Sequence, residues 1–223
     1  MDIDISKMFK DKNKEILTNS LKLEMERNLE TLKNTTDNCV SLEINKVFLF
    51  FKSYFHEINV SYKKEELLGS LYRERKTIND IVNGEIENKK KAIIDEFFNR
   101  ETDEILTEEY LNEYYEFLKN ETEKINSEIE LKLKKEIATN FSPKIIKKYK
   151  LEKEEQAERI HSRIDILFRD NVISRVKDQI YFRDESLRNM MKESYDKYVE
   201  LNKSTIDKNY WNNNKVCYNN NKF

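Results

Sequence analysis

Apolar residues return every three or four positions along almost the whole of this 223-residue chain, which is the period of one face of an α-helix. Leu17, Leu21, Met25, Leu29 and Leu32 make a first stripe over about residues 6–34. Asn34-Thr35-Thr36-Asp37 then offers side chains that compete for backbone hydrogen bonds, so the pattern predicts a break and a cap there. Val40, Ile44, Val47, Phe51, Phe55 and Ile58 form a second stripe, which Phe48, Leu49 and Phe50 widen beyond a simple seam. This second helix is expected to be the most buried.

A turn at Asn59-Val60-Ser61 leads to a third stripe, Leu67, Leu71, Ile78, Val82, Ile86, Ile93 and Phe97, running to about Arg100. Gly69 and Gly84 lie inside it. Each weakens a helix by about 1 kcal/mol relative to Ala, which points to a kink or a close helix approach. Thr107 with Glu108 and Glu109 is a good helix start: the hydroxyl caps free amides and the carboxylates face the positive end of the dipole. The fourth stripe follows, Tyr110, Tyr114, Phe117, Leu118, Ile125, Ile129, Leu133 and Ile137. Ser142-Pro143 reads as the next boundary, because proline disfavours helix in the residue before it and suits a first helical position. A fifth helix is predicted from Lys144 to about Leu201, striped by Ile160, Ile164, Phe168, Val172, Val176, Ile180, Leu187, Met191, Tyr195 and Tyr198.

The expected fold is therefore all-α: an elongated helical bundle or antiparallel coiled coil of about five helices. Residues 1–205 form a single domain with room for a sub-boundary at 141–143, and the Asn-rich stretch 206–223 reads as a disordered tail. Composition agrees with narrow seams rather than one large core, since hydrophobic and charged residues each make up 38% of the chain and there are two glycines and one proline. A net charge of −2 removes the simplest case for attraction of the whole molecule to nucleic acid or an anionic membrane.

The longest apolar run, Val47 to Phe51, is far shorter than the roughly 20 residues a membrane span needs. Cys39 and Cys217 make no disulfide framework, and residues 1–14 are charged, without the apolar centre of a signal peptide. The expected location is the cytoplasm, or the interior of a virion if the chain is phage-encoded. A ratio of 31 Lys to 10 Arg, with 25 Asn and three Ala, fits an AT-rich genome such as those of low-GC bacteria, their phages and some protists, and a phage or mobile element is the expected source.

Glu158-x-x-His161 puts a carboxylate and an imidazole on one helix face, as di-metal bundle sites require, but such sites need a second pair and two further glutamates. The other histidine, His56, has Ser53 at the matching position. His56 could activate a nearby hydroxyl or thiol, yet catalytic elbows and oxyanion loops use glycine-rich turns that this chain lacks. No catalytic, cofactor-binding or metal site is assigned.

Charge is distributed more tellingly. Residues 101–130 hold eleven acidic side chains against two lysines, whereas 131–150 hold seven lysines against one glutamate. Opposite charges flanking an antiparallel seam account for this, and a docking patch is the functional counterpart. Lys144, Lys147, Lys148 and Lys150, with Tyr149 among them and Trp211 in the aromatic tail, could contact phosphates and bases. The same tryptophan could equally anchor a peptide in a partner's groove.

The expected function is a non-enzymatic structural, scaffold or adaptor protein working through helix–helix contact. Phe48, Phe51, Phe55, Ile164 and Phe168 are its candidate interaction residues, and its expected partners are further copies of itself, as a homo-oligomer, and an unidentified protein. The alternative is a nucleic-acid-associated factor using 144–150 and the tail; a helical metal-binding enzyme is the third reading.

Overall fold

The structure, a computed structural model, describes the backbone of residues 5–99 and 108–219, with side chains from Glu15 to Glu96 and from Asn112 to Glu200 apart from a few positions within those spans. Every regular element among the described residues is helical. The first rod is α1, Ile5–Glu57, and the second is α2, Lys64–Asn99. The third, 108–148, joins α3 (Glu108–Glu136), a π-helical segment (Ile137–Phe141) and α4 (Ser142–Lys148). The fourth, 154–219, joins α5 (Glu154–Asp165), a second π-helical segment (Ile166–Ile173) and α6 (Ser174–Asn219). Four rods thus replace the five helices expected from the sequence.

The rods alternate in direction and pack in a square. α1 touches α2 and the fourth rod, and α3 touches the same two. Cross-rod contacts mark the antiparallel register: Lys33 with Glu87 and Asp37 with Arg75, Glu85 with Lys132 and Glu74 with Lys144, Glu123 with Lys177 and Glu130 with Arg169, Glu57 with Arg159. Glu123, Glu128 and Glu130 of the acidic block and Lys132, Lys144 and Lys148 of the basic block are paired across the third rod's two seams. One core runs the length of the square, and nearly every described stripe residue lies in it. At 1.5 Å per residue α1 alone is about 80 Å long, so the molecule is a rod.

The break expected at 34–37 is absent because its side chains are used inside a continuous helix. Thr31, Thr35, Thr36 and Ser41 each donate to the carbonyl four residues back, at 2.6–2.9 Å. Asp37 reaches across to α2 instead of capping, accepting from Arg75 at 2.5 Å and Asn79 at 2.6 Å. Thr36 is fully buried and continues the stripe from Leu32 to Val40.

Pro143 likewise ends nothing. A helical proline clashes with the carbonyl four residues earlier. Here the π-helical turn stands immediately before it: the Ser142 amide donates five residues back, to Ile137, and the wider turn takes up the ring. Phe141 and Ile145 carry the core across this point. The rod stops at Lys148 instead, so the next helix starts at Glu154 rather than Lys144.

Both described connections use the same left-handed stop. Asn59 has φ 59° and Lys150 has φ 53°. In the first, the Val60 amide donates to Phe55 at 2.8 Å and Asn59 to His56 at 3.3 Å; in the second, Leu151 donates to Ile146 at 2.9 Å and Lys150 to Lys147 at 3.3 Å. Gly69 and Gly84 mark neither kink nor close approach, for a Cβ at either would meet nothing within 4 Å. α6 runs on to Asn219, so its backbone carries helix through most of the segment expected to be a tail. No proline or glycine interrupts that stretch.

Candidate functional site

The sequence-derived interaction residues do not converge on one surface. Phe51, Phe55, Ile164 and Phe168 are fully buried, and Phe48 packs half-buried against the same core. Phe51 and Phe55 belong to an aromatic cluster at the turn end of the bundle, where the Phe55 ring lies 5.2 Å from Phe51 and 4.7 Å from Tyr149. Phe168 meets Phe141 edge-on at 5.6 Å, joining the two π-helical segments. This aromatic bulk is spent within the chain.

The basic patch is half neutralised. Lys144 pairs with Glu74 at 2.9 Å, and Lys148 with Glu66 at 3.1 Å while also donating to the Ser70 hydroxyl at 2.8 Å. Lys147 and Lys150 are exposed beside the second turn. The Trp211 side chain lies outside the described residues, as does any contact of the tail.

Glu158 is exposed and His161 half-buried. Among the described residues no group of three His, Cys, Asp or Glu side chains is placed to hold a metal ion. Cys39 is buried, and desolvation pushes its thiol pKa up against the opposing pull of Arg175. An open groove of about 410 Å³ at the first turn lies between Lys52, His56 and Tyr62.

Two features stand out from this background. The first is an exposed apolar strip on the outer side of α1 and α2. Leu42 and Leu49, one heptad apart, are 41% and 60% exposed, and Tyr72 is 44% exposed. Between the two leucines Asn45 accepts a long hydrogen bond from the Tyr72 hydroxyl, at 3.4 Å, tying the strip across the two rods.

The second is a charged layer inside the bundle. Lys90 of α2 pairs with Asp184 of α6, whose other carboxylate oxygen accepts from the Thr122 hydroxyl of α3 at 2.6 Å. The lysine and aspartate side chains are only 10% and 7% exposed, the most withdrawn of the described ion pairs. Thr122 lies also 2.9 Å from the Leu118 carbonyl, but its single proton serves the charged acceptor better. A cavity of about 30 Å³ borders Lys90, Asp184 and Arg183 among aliphatic side chains of all four rods. That volume has room for a water molecule or two and for no substrate. One turn from Thr122, Asn126 is buried with neither end of its amide bonded.

These elements define an antiparallel four-helix bundle with a charged layer across its core. Compared with protein-family models, curated proteins and solved structures, the chain matches none of them. No helix among the described residues is long and apolar enough to cross a membrane.

Proposed function

We propose that the chain is a non-enzymatic assembly or adaptor protein: a rod that acts by offering its outer helical faces to other helices, first of all to further copies of itself. The observation that supports this reading is the strip Leu42, Leu49 and Tyr72. Other large apolar side chains are exposed too, among them Leu23, Leu131 and Phe182, but Leu42 and Leu49 stand at heptad spacing beside Tyr72 of the neighbouring rod and so offer a helix–helix seam. Polar neighbours Asn38 and Asn45 on the same face limit that seam and favour one register over many.

Light scattering coupled to size exclusion tests the reading across a range of concentration. The expected result is a dimer or higher oligomer for the natural chain, and a monomer of unchanged helical content for the double substitution Leu42→Lys, Leu49→Lys. A natural chain that stays monomeric at about 100 μM would remove self-assembly as its function, since a contact weaker than that is worth only about 5 kcal/mol.

A further inference from the structure

We propose that the Lys90–Asp184–Thr122 layer is a register lock: it selects one axial alignment of the first two rods against the last two, and does so at a cost in stability rather than as a source of it. This inference is independent of the proposed assembly role.

Away from the aromatic residues and the buried Glu43 and Glu85, the core selects register poorly. Ile78, Val82 and Ile86 on α2, Ile125, Ile129 and Leu133 on α3, and Val176, Ile180 and Leu187 on the fourth rod are all aliphatic and similar in size. Sliding the first two rods together against the last two by seven residues, about 10 Å, returns the same faces and sets aliphatic against aliphatic again. Rim pairs such as Glu123 with Lys177, 53% and 38% exposed, resist such a slip little, because water satisfies either charge when they part.

The charged layer behaves differently. A slip of about 10 Å carries Asp184 beyond the reach of Lys90 and parts the two charges in a pocket lined mainly by Met25, Leu29, Ile93 and Leu187, with Asn28 and Arg183 as its other polar groups. The short turn between Lys148 and Glu154 already aligns the third rod with the fourth, so the pairing of Lys90 with Asp184 and Thr122 aligns the first two rods against the last two. Burying that pair is itself unfavourable compared with well-packed apolar groups of the same size, so removing all three members should not weaken the fold.

The test uses the full chain with Cys39→Ala and Cys217→Ser, spin-labelled through cysteines placed at exposed Asn88 and Ser186, with the layer intact or replaced by Lys90→Met, Thr122→Val and Asp184→Leu. The denaturation midpoint of the apolar variant is expected to equal or exceed that of the parent. Its label-to-label distance distribution is expected to split or broaden by several ångström, where the parent gives one narrow peak. A rim variant, Glu123→Ala with Lys177→Ala, should keep the single peak. One parent-like peak in the apolar variant would overturn the proposal. So would a split peak in the rim variant, or an apolar variant that unfolds at a lower midpoint or fails to fold, since the layer would then be a stabilising element.

Discussion

Lys90, Thr122 and Asp184 each fill a place where an apolar stripe skips one step: Ile86 to Ile93, Leu118 to Ile125, Ile180 to Leu187. Three seven-residue gaps holding a lysine, a threonine and an aspartate were visible in the sequence, and a heptad reading would have placed all three inside. What sequence could not supply was their common level, which depends on how far each rod is shifted. Asp37 shows a milder version of the same behaviour. Its hydrogen bond from Arg75 holds its carboxyl below the usual range, against the opposing effect of burial. A depressed carboxylate stabilises the fold above its unfolded pKa, about 3.9, and that contribution disappears as pH falls through the lower folded value. Since the side chain is 45% exposed, the pair contributes only a few tenths of a kcal/mol. Urea midpoints of the natural chain and Asp37→Asn should accordingly differ slightly at pH 7 and converge near pH 2; a gap that persists in acid would mean the carboxylate charge is not its source. Lys150 carries a cost of its own, a left-handed backbone in a residue with a Cβ. Lys150→Gly should raise stability by about 1 kcal/mol, read as a higher urea midpoint with unchanged slope.

At the level of the helix, the phase of a stripe proved a better guide than the residues that interrupt it. Leu32, Thr36 and Val40 continue at steps of four through Asn34–Asp37, and one unbroken phase requires one unbroken helix. The reading that favoured a break weighed local hydrogen-bonding competition, which the four side-chain bonds to preceding carbonyls absorb. Steps of exactly four are informative too. Ile160, Ile164, Phe168, Val172, Val176 and Ile180 advance by four each time, and on an ideal α-helix five such steps drift about 200° around the axis. The π-helical segment Ile166–Ile173 unwinds part of that drift and keeps the stripe on the core. Leu133, Ile137, Phe141 and Ile145 repeat the device before Pro143. The true end of the third rod was announced by charge rather than by proline: Lys147 and Lys148 suit a last turn, and Glu154 and Glu155 a first one. Gly69 and Gly84, having ordinary helical backbone and open space around them, should each gain about 1 kcal/mol on replacement by Ala. Thermal unfolding of Gly84→Ala checks this, and a lower midpoint would reveal a contact at that position.

Across the whole molecule, length decides the shape. A compact protein of 223 residues would have a radius of gyration of about 17 Å, whereas a rod built on helices of 53 residues must exceed it. Small-angle scattering from the monomeric Leu42→Lys, Leu49→Lys chain should give a value clearly above 17 Å and a rod-like pair-distance curve. The all-α class and most of the core were readable in advance because amphipathic stripes state them directly. The exposed apolar strip was not, because the bulkiest aromatic residues, Phe51, Phe55 and Phe168, are those that close the bundle, while Leu42, Leu49 and Tyr72 sit at positions that look unremarkable along the chain.

The two tight turns divide the square into two helical hairpins, residues 5–99 and 108–219, each of which meets its own partner rod by closing a loop of a few residues. Lys90 belongs to one hairpin, Thr122 and Asp184 to the other. If hairpins form first and dock afterwards, the charged layer assembles late, beyond the rate-limiting barrier. In stopped-flow denaturant series Lys90→Met would then speed unfolding while leaving the refolding limb almost unmoved. The same lysine that fixes where the rods stop sliding would set how long the native state lasts before it comes apart.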